Sequence, residues 1–271
     1  YMVGFNLVAS FNIADSLKAY SFYDPTLTPW IVGIVLAVVF LVCISGGGKQ
    51  IANITAVLVP VMGVLYLAVI LFVVFNHISL IPAVFASIFH NAFNFQAIFG
   101  GFVGSALMQG IKRGLFSNEA GIGAAACAAG SAGVSHPAKQ GLVQVLSVFI
   151  DTIVVCTATA MLLLCSGVDP TAEAAGMPFV QQAMAGTLGQ FGVIFITVAL
   201  FLFAFTTLLG NLYYCDNCLA FILKKTPSKQ FITGFRIIAA LVIFVGAGLS
   251  MAAAWAIADI LMAVMCFINL P

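Results

Sequence analysis

Long apolar runs separated by short polar stretches dominate the hydrophobic pattern of this chain of 271 residues. A run of roughly 20 apolar residues is long enough to cross a bilayer as an α-helix. Eight membrane-crossing segments can be drawn, numbered here as spans 1 to 8: 1–17, 29–45, 50–76, a segment that begins near 95, 138–166, 190–214, 231–247 and 249–269. Two shorter mixed stretches, 79–93 and 172–187, are predicted to be interfacial helices.

Composition agrees with a membrane location. Hydrophobic residues make up 63% of the chain and charged residues 6%, with a mean hydropathy of +1.20, whereas soluble domains are about half apolar and a quarter charged. We predict an all-α polytopic membrane protein of the cell inner (plasma) membrane. A β-barrel is disfavoured because the apolar runs are continuous rather than alternating. The net charge of +1 argues against a nucleic-acid partner. Because the chain opens at Tyr1 without a Met or a basic leader, it is interpreted as an internal piece of a longer protein.

The loop charges predict the orientation of the bundle. Cytoplasmic loops of membrane proteins carry the excess of Lys and Arg. One set of alternate loops is rich in these residues: Lys49, Lys112, Arg113, Lys139, Lys224, Lys225, Lys229 and Arg236. The opposite loops carry Lys18, Asp24, Asp169 and Glu173. The first set of loops is therefore expected on the cytoplasmic side.

Polar residues inside the spans indicate surfaces that face protein or water. An Asp at the centre of a membrane helix costs on the order of 2.5–3.5 kcal/mol on insertion scales. The residues concerned are Asn6, Asn12, Asp15, Asp151, Thr152, Thr206, Thr207, Asn211, Asp216 and Asp259. Each either ties helices together or lines a pathway, and their number favours at least one polar pathway. The pair Asn6 and Asn12 has the spacing of Asn211 and Asn217, as internal repeats or chance would produce.

The fourth span is rich in glycine. The stretch QAIFGGFVGSALMQG holds four glycines and a serine within fifteen residues. Small residues let membrane helices pack closely. Glycines also interrupt helices, whose freed amides and carbonyls then bind a ligand near the midplane of the bilayer. The glycines alone leave both interpretations open.

The sixth span contains a candidate cation site in the stretch FAFTTLLGNLYY. The adjacent hydroxyls of Thr206 and Thr207 offer oxygen ligands without net charge, which suit a hard cation such as sodium. The alternative is that each threonine hydrogen-bonds to its own helix, which is common. These two residues alone do not separate the interpretations.

Other chemistry finds little support in the sequence. Cys215 and Cys218 have CxxC spacing, but no second CxxC or histidine pair accompanies them, and small apolar filler is the preferred interpretation. His77, His90 and His136 lie in loops or at the ends of spans, so we predict no metal other than sodium. No Ser/His/Asp set or Cys/His pair shares a segment, and the chain is not predicted to be an enzyme.

Three stretches of the chain resemble a known family. They read KRGLFSNEAGIGAA, SHPAKQGLVQVLSVFIDTIVVCTATA and LFAFTTLLGNLYY. They are similar to the alanine or glycine:cation symporters, and to the sodium:alanine symporters in particular, and the resemblance covers essentially the whole chain. It implies a LeuT-type fold of two inverted five-helix repeats. It also implies that inward flow of sodium, or of protons in some members, drives uptake of alanine or glycine by alternating access.

On that fold the eight spans correspond to helices 3 to 10. The chain is then a single partial transport domain, 1–271, without the first two helices and the last. The fourth span takes the place of the discontinuous sixth helix, and Thr206 and Thr207 become sodium ligands on the eighth. The substrate-binding residues are expected to be Gly100, Gly101, Gly104, Ser105, Met108 and Gln109.

One stretch departs from the family pattern. Where many relatives have Asn-Met-Val-Gln-Ala-Asn on the third helix, this chain has NLVASF. Ala9 thus replaces the glutamine expected at the substrate, and Phe11 replaces a later asparagine. The departure puts the preference for alanine in question, more than the transport class.

The stretch RGLFSNEAG is interpreted as part of an intracellular gate. Ser117 is expected to cap a new helix and Glu119 to lie in its positively polarised first turn. The Gly/Ala/Ser run that follows would let this helix pack against moving neighbours. The gate candidates are Arg113, Ser117, Asn118 and Glu119. A capped structural helix without a gating role is the alternative.

The favoured function is import of a small neutral amino acid coupled to sodium, or to a proton. The partners are the amino acid and the lipid bilayer, and the oligomeric state is left open. An ion channel is the alternative class, and it predicts a continuous polar stripe without saturable binding of an amino acid.

Overall fold

Helices form the regular structure of the chain in a computed structural model that describes residues 1–45, 47–92, 106–119, 121–168, 175–224 and 228–270. They are α1 (Gly4–Asp15), α2 (Thr28–Ile44), α3 (Gly47–Asn76), α4 (Ile81–Ala92), α5 (Ala106–Ser117), α6 (Ala124–Ala129), α7 (Pro137–Phe149), α8 (Thr157–Cys165), α9 (Met177–Leu223), α10 (Lys229–Ala247) and α11 (Met251–Asn269). Short 3-10 turns cover Ser16–Ala19 and Ile78–Leu80, and a π-helical segment, Ile150–Cys156, joins α7 to α8.

Five segments of the described chain are long and apolar enough to cross a membrane, which confirms the prediction of a polytopic helical membrane protein. They are Asn53–Asn76, Pro137–Cys165, Met177–Leu223, Lys229–Ala247 and Met251–Asn269, at the places of predicted spans 3, 5, 6, 7 and 8. Span 2 is the 17-residue α2, near the lower limit for crossing a bilayer. Span 1 is represented by α1, whose 12 residues reach only about 18 Å. Most of span 4 lies outside the described residues.

The short helix α1 lies at the centre of the bundle. Eleven of its 12 residues are buried, and it packs against α2, α9, α10 and α11. Its buried residues include Asn6, Ser10 and Asp15, and polar side chains within a membrane bundle face protein or water rather than lipid. A second apolar cluster joins α3, α8 and the first part of α9.

Gly246 allows α10 to approach α1. A Cβ atom at this position would overlap the hydroxyl of Ser10 and would lie 2.8 Å from the Cα atom of Leu7. Small residues at such crossings let the backbones of two membrane helices come close. The burial of α1 therefore depends on a residue that lies 236 positions after Ser10 in the chain.

The helix α9 is bent at Gly189. This residue has φ 59° and ψ −146°, a conformation that residues with a Cβ rarely adopt. Gly189 divides α9 into two helical parts, which correspond to the predicted interfacial stretch and to span 6. Span 6 also continues to Leu223 rather than ending at 214. The reason is that its last polar residues have partners in the fold, such as Asp216, which lies 3.8 Å from Arg236 of α10.

Candidate functional site

The two threonines proposed as sodium ligands lie side by side on α9. Thr206 is buried and Thr207 is exposed. Both hydroxyls donate to the carbonyl oxygen of Phe203, at 2.9 Å and 3.0 Å. The backbone bonds that the structural alternative requires are therefore present. A hydroxyl that donates its hydrogen keeps two lone pairs, so both oxygens retain the capacity to bind a cation, and the sodium assignment stays a prediction.

One turn further along α9, Asn211 pairs with Asn6 of α1. The amide of Asn211 donates to the side-chain oxygen of Asn6 over 2.8 Å. The two residues are 2% and 0% exposed. The amide nitrogen of Asn6 has no hydrogen-bond partner among the described residues. Asn6 and Asn211 are the first asparagines of the two repeats with equal spacing, and the fold brings these two residues into contact.

The segment 113–119, called the gate segment below, is anchored to α11 by Arg113. One guanidinium nitrogen of Arg113 donates to both oxygens of Asp259, at 2.8 Å and 2.7 Å. The guanidinium carbon lies 4.1 Å from the ring centroid of Trp255, within the range of a cation–π contact. Asp259 is eight residues into α11. Arg113 thus reaches into the bundle, whereas the loop-charge pattern placed it in a cytoplasmic loop.

The end of the gate segment contacts the π-helical segment. The hydroxyl of Ser117 donates to the carboxylate of Asp151, and the hydroxyl of Thr152 donates to the amide oxygen of Asn118 over 2.6 Å. Such π segments are frequent at functional sites because the extra residue per turn redirects side chains. Two polar residues that the hydropathy pattern placed in span 5 are therefore partners of the gate segment.

Glu119 follows directly and adopts an unusual backbone conformation. Its φ of 51° lies in the left-handed region, which is uncommon for a residue with a Cβ. Glu119 lines a cavity of about 520 Å³, together with Ser117, Gln144 and Asp151. Burial, reinforced by the nearby carboxylate of Asp151, raises the pKa of Glu119. The gate segment thus ends in a strained, partly desolvated acid beside an open space.

The predicted cap at Ser117 is wrong. Ser117 is the last residue of α5 rather than the residue that precedes a new helix, and the next helix begins only at Ala124. Glu119 lies outside any helix and has no first turn to stabilise. The helix ends there because Glu119 adopts a left-handed conformation and its backbone N–H donates to the carbonyl of Phe116, three rather than four residues back, over 3.3 Å.

The predicted substrate-binding residues are only partly described. Met108 is half-buried and Gln109 is exposed, both near the start of α5. Gly100, Gly101, Gly104 and Ser105 lie outside the described residues. The assignment of these six residues to the substrate stays a prediction.

The two positions that depart from the family pattern are buried in apolar clusters. Ala9 is 7% exposed and Phe11 is 5% exposed. Ala9 belongs to the cluster that α1 shares with α2, α9 and α10, and Phe11 packs with Ala254 and Ala258 of α11. Both positions therefore also serve the packing of α1.

Sequence reasoning missed the role of Trp255. It lies four residues before Asp259, so both side chains share one face of α11. The sequence signal for this contact is an aromatic residue one turn before an acid inside a membrane span, because an arginine can stack on the first and form an ion pair with the second. The same reasoning treated Cys218 as filler, whereas its sulfur contacts that of Cys127.

Comparison with known proteins places the chain in a family. The sequence profile of the sodium:alanine symporter family matches residues 1–271. The amino-acid carrier protein AlsT of Bacillus subtilis is 40% identical over 266 residues, which are 98% of this chain and 55% of AlsT. The probable sodium/glutamine symporter GlnT of the same organism is 41% identical over 239 residues, 88% of this chain and 49% of GlnT.

An archaeal relative gives a similar result. The sodium/alanine symporter AgcS of Methanococcus maripaludis is 37% identical over 267 residues, 98% of this chain and 57% of AgcS. The chain spans about half the length of these relatives. Its membrane-crossing helices and its match to the family profile along its full length lead to one conclusion: the chain belongs to the sodium:alanine symporter family of multi-pass membrane transporters, which are not enzymes.

Proposed function

We propose that the whole protein that contains this chain imports a small neutral amino acid, alanine or glycine, together with sodium. Transport follows alternating access in a LeuT-type fold, and the chain contributes helices 3 to 10 of that fold. By resemblance to the family, the substrate carboxylate is assigned to backbone amides of 100–105, which lie outside the described residues, and the substrate side chain to Met108 and Gln109. Thr206 and Thr207 are ligands of the sodium ion, and a proton is the alternative coupling ion.

The junction made by the gate segment is the observation that carries the proposal. Arg113 ties this segment to α11, and Ser117 ties it to the π-helical segment. Alternating access requires an element that closes one side of the site through contacts that can be exchanged. Charged and hydroxyl contacts at the end of α5 meet that requirement, because water can replace each partly exposed contact at little cost.

The names of the relatives indicate two classes of substrate, small neutral amino acids such as alanine, and glutamine. AgcS is named a sodium/alanine symporter and GlnT a probable sodium/glutamine symporter. A small side chain at Ala9 is compatible with either, because that residue is enclosed by apolar neighbours. We favour alanine or glycine, on the match to the sodium:alanine family along the whole chain.

Uptake into liposomes tests the proposed function. The whole protein is reconstituted, and entry of radiolabelled alanine is measured with and without an inward sodium gradient. We expect uptake that saturates, depends on the gradient and is competed by glycine. Equal uptake in both conditions would contradict sodium coupling. Competition by glutamine but not by glycine would mean that glutamine, rather than glycine, shares the site with alanine.

The ion site is tested by Thr206→Val and Thr207→Val, with Thr233→Val as the matched control. Thr233 also donates to its own helix, to the carbonyl of Lys229 over 2.9 Å, but it lies on α10 outside the proposed site. Each substitution on α9 should weaken sodium binding, and amino-acid binding should recover at saturating sodium because linkage is reciprocal. A reduced maximum with an unchanged sodium midpoint would return these threonines to a structural role.

A further inference from the structure

Two cysteines from distant parts of the chain meet beside the gate segment. The sulfur of Cys127, on α6, lies 3.4 Å from the sulfur of Cys218, near the end of α9. Both thiols are free. Cys218 is exposed and Cys127 is half-buried. Cys215 and Cys218 have CxxC spacing and were interpreted as filler, but the fold places the sulfur of Cys127 in contact with that of Cys218.

Neighbouring polar contacts fasten the same two helices. The amide of Asn217 donates to the carbonyl of Cys127 over 3.2 Å, and the hydroxyl of Tyr213 donates to that of Ser131 over 2.8 Å. The helix α6 has only six residues, and it begins five residues after Glu119. Whatever holds α6 against α9 therefore restrains the end of the gate segment as well.

We propose that Cys127 and Cys218 form a reversible disulfide under attack by a peroxide, and that this bond fastens α6 to the cytoplasmic end of α9. The thiolate of the exposed Cys218 attacks one peroxide oxygen, the O–O bond breaks, and the leaving oxygen takes up a proton. The resulting sulfenic acid is attacked by the sulfur of Cys127, whose proton leaves with the displaced hydroxide as water. Two thiols lose two electrons in total, and the peroxide gains them.

The environment of the pair suits a switch that is reduced under ordinary conditions. Burial, together with the contact to Cys218, raises the pKa of the Cys127 thiol to about 11, so this sulfur is protonated at neutral pH. Only the thiolate is a good nucleophile. The charge pattern predicts that this end of α9 faces the cytoplasm, where disulfides are transient and redox-sensing rather than structural.

The chemical test is peptide mapping after oxidation. The whole protein is treated with hydrogen peroxide, blocked with an alkylating agent and digested with trypsin. A bond between Cys127 and Cys218 links the tryptic peptides 114–139 and 140–224, whereas a bond within the CxxC stays inside the second peptide. We expect the linked pair in the wild type and in Cys215→Ser, and its loss in Cys127→Ser and in Cys218→Ser. Absence of the linked pair from the oxidised wild type would overturn the proposal.

The mechanical part of the proposal has a readout that does not depend on transport. Hydrogen exchange of 121–131 should slow by about tenfold or more on oxidation, because the bond removes open arrangements of α6 from the population. The effect should reverse with dithiothreitol and be absent in Cys127→Ser. Unchanged exchange in a sample shown to be linked would overturn the fastening of α6.

Transport adds a third readout, which rests on the proposed function. Sodium-driven alanine uptake should fall by about tenfold or more on oxidation of the wild type and should stay constant in Cys218→Ser. Uptake that is unaffected in a linked sample would overturn the effect on the gate. If the reduced protein shows no sodium-driven uptake, the proposed function fails, while the linked peptides and the exchange rates still decide whether the disulfide forms and fastens α6.

Discussion

The centre of the bundle and the gate segment treat polar groups in opposite ways. Around α1 the polar groups are buried and fixed, as in the amide pair of Asn6 and Asn211. In the gate segment they are partly exposed and contact charged or hydroxyl groups on two other elements, as Arg113 does with Asp259. The side chains of that ion pair are 35% and 30% exposed.

The two kinds of contact differ in the free energy needed to break them. A buried hydrogen bond without access to water is costly to break, because both partners would be left unpaired. A half-exposed contact can exchange with water and costs little to open. The proposed function requires both kinds, a rigid part that preserves the site and a part whose contacts open and close, and the proposal assigns them to different helices.

Removal of the arginine anchor should have the largest effect on transport. Arg113→Leu deletes the ion pair with Asp259 and the contact with Trp255, and we expect sodium-driven uptake to fall by about tenfold or more, on the order of 1.4 kcal/mol. Arg113→Lys should rescue only in part, because an ammonium cannot reproduce the stacked, two-oxygen contact. Uptake measured in liposomes checks both variants.

The matched control for the arginine variant is Lys112→Leu, which removes the same charge from the neighbouring position. It should leave most of the uptake intact. A double-mutant cycle with Asp259→Asn should show coupling between Arg113 and Asp259. Equal losses in the Lys112 and Arg113 variants would mean that net charge matters rather than the anchor.

The rigid part is most easily broken at Gly246. In Gly246→Ala the new Cβ meets Ser10 and the backbone of Leu7, and overpacking of this kind costs about 2–3 kcal/mol. Gly234→Ala, on the same helix, adds its Cβ to open space and should leave stability unchanged or slightly higher. Thermal unfolding of the purified protein in detergent compares the two, and equal shifts would contradict the close approach of α1 and α10.

Loss of the buried amide pair should be smaller. Asn211→Ala leaves the side chain of Asn6 buried without a partner, at a cost of about 1–2 kcal/mol. Asn12→Ala is the control, since among the described residues the side chain of Asn12 bonds only to the carbonyl of Val8 in its own helix. The same unfolding assay should show the larger shift for Asn211. The double variant with Asn6→Ala should recover part of the loss, and purely additive losses would argue against a specific pair.

The smallest effect is expected from pH at the gate segment. Because burial raises the pKa of Glu119 above its ordinary value, the protonated carboxyl favours the folded arrangement. Its contribution is present at low pH and is lost as the pH rises through the raised pKa. Hydrogen exchange of 121–131 should therefore show less protection as the pH rises above about 4.5, after correction for the intrinsic rate. Glu119→Gln should remove this trend, and its persistence would point to another group.

Sequence reasoning was more accurate for the membrane spans than for the gate segment. The family and five of the eight predicted spans are confirmed, because apolar runs and family motifs are local properties of the chain. The gate candidates were proposed from the sequence and stay a prediction, whereas the predicted cap at Ser117 was wrong. Capping depends on where the helix ends, and that is decided here by the left-handed conformation of Glu119.

By itself the sequence determined that this protein is a bundle of membrane helices with polar residues in its interior, because hydropathy and length alone set the cost of placing each segment in lipid. Only the tertiary structure decided which of those polar residues meet. Asn6 with Asn211, Arg113 with Asp259 and Cys127 with Cys218 are separated by 205, 146 and 91 positions in the chain. No periodicity reaches that far, because these pairs are set by which helices pack against one another in the bundle.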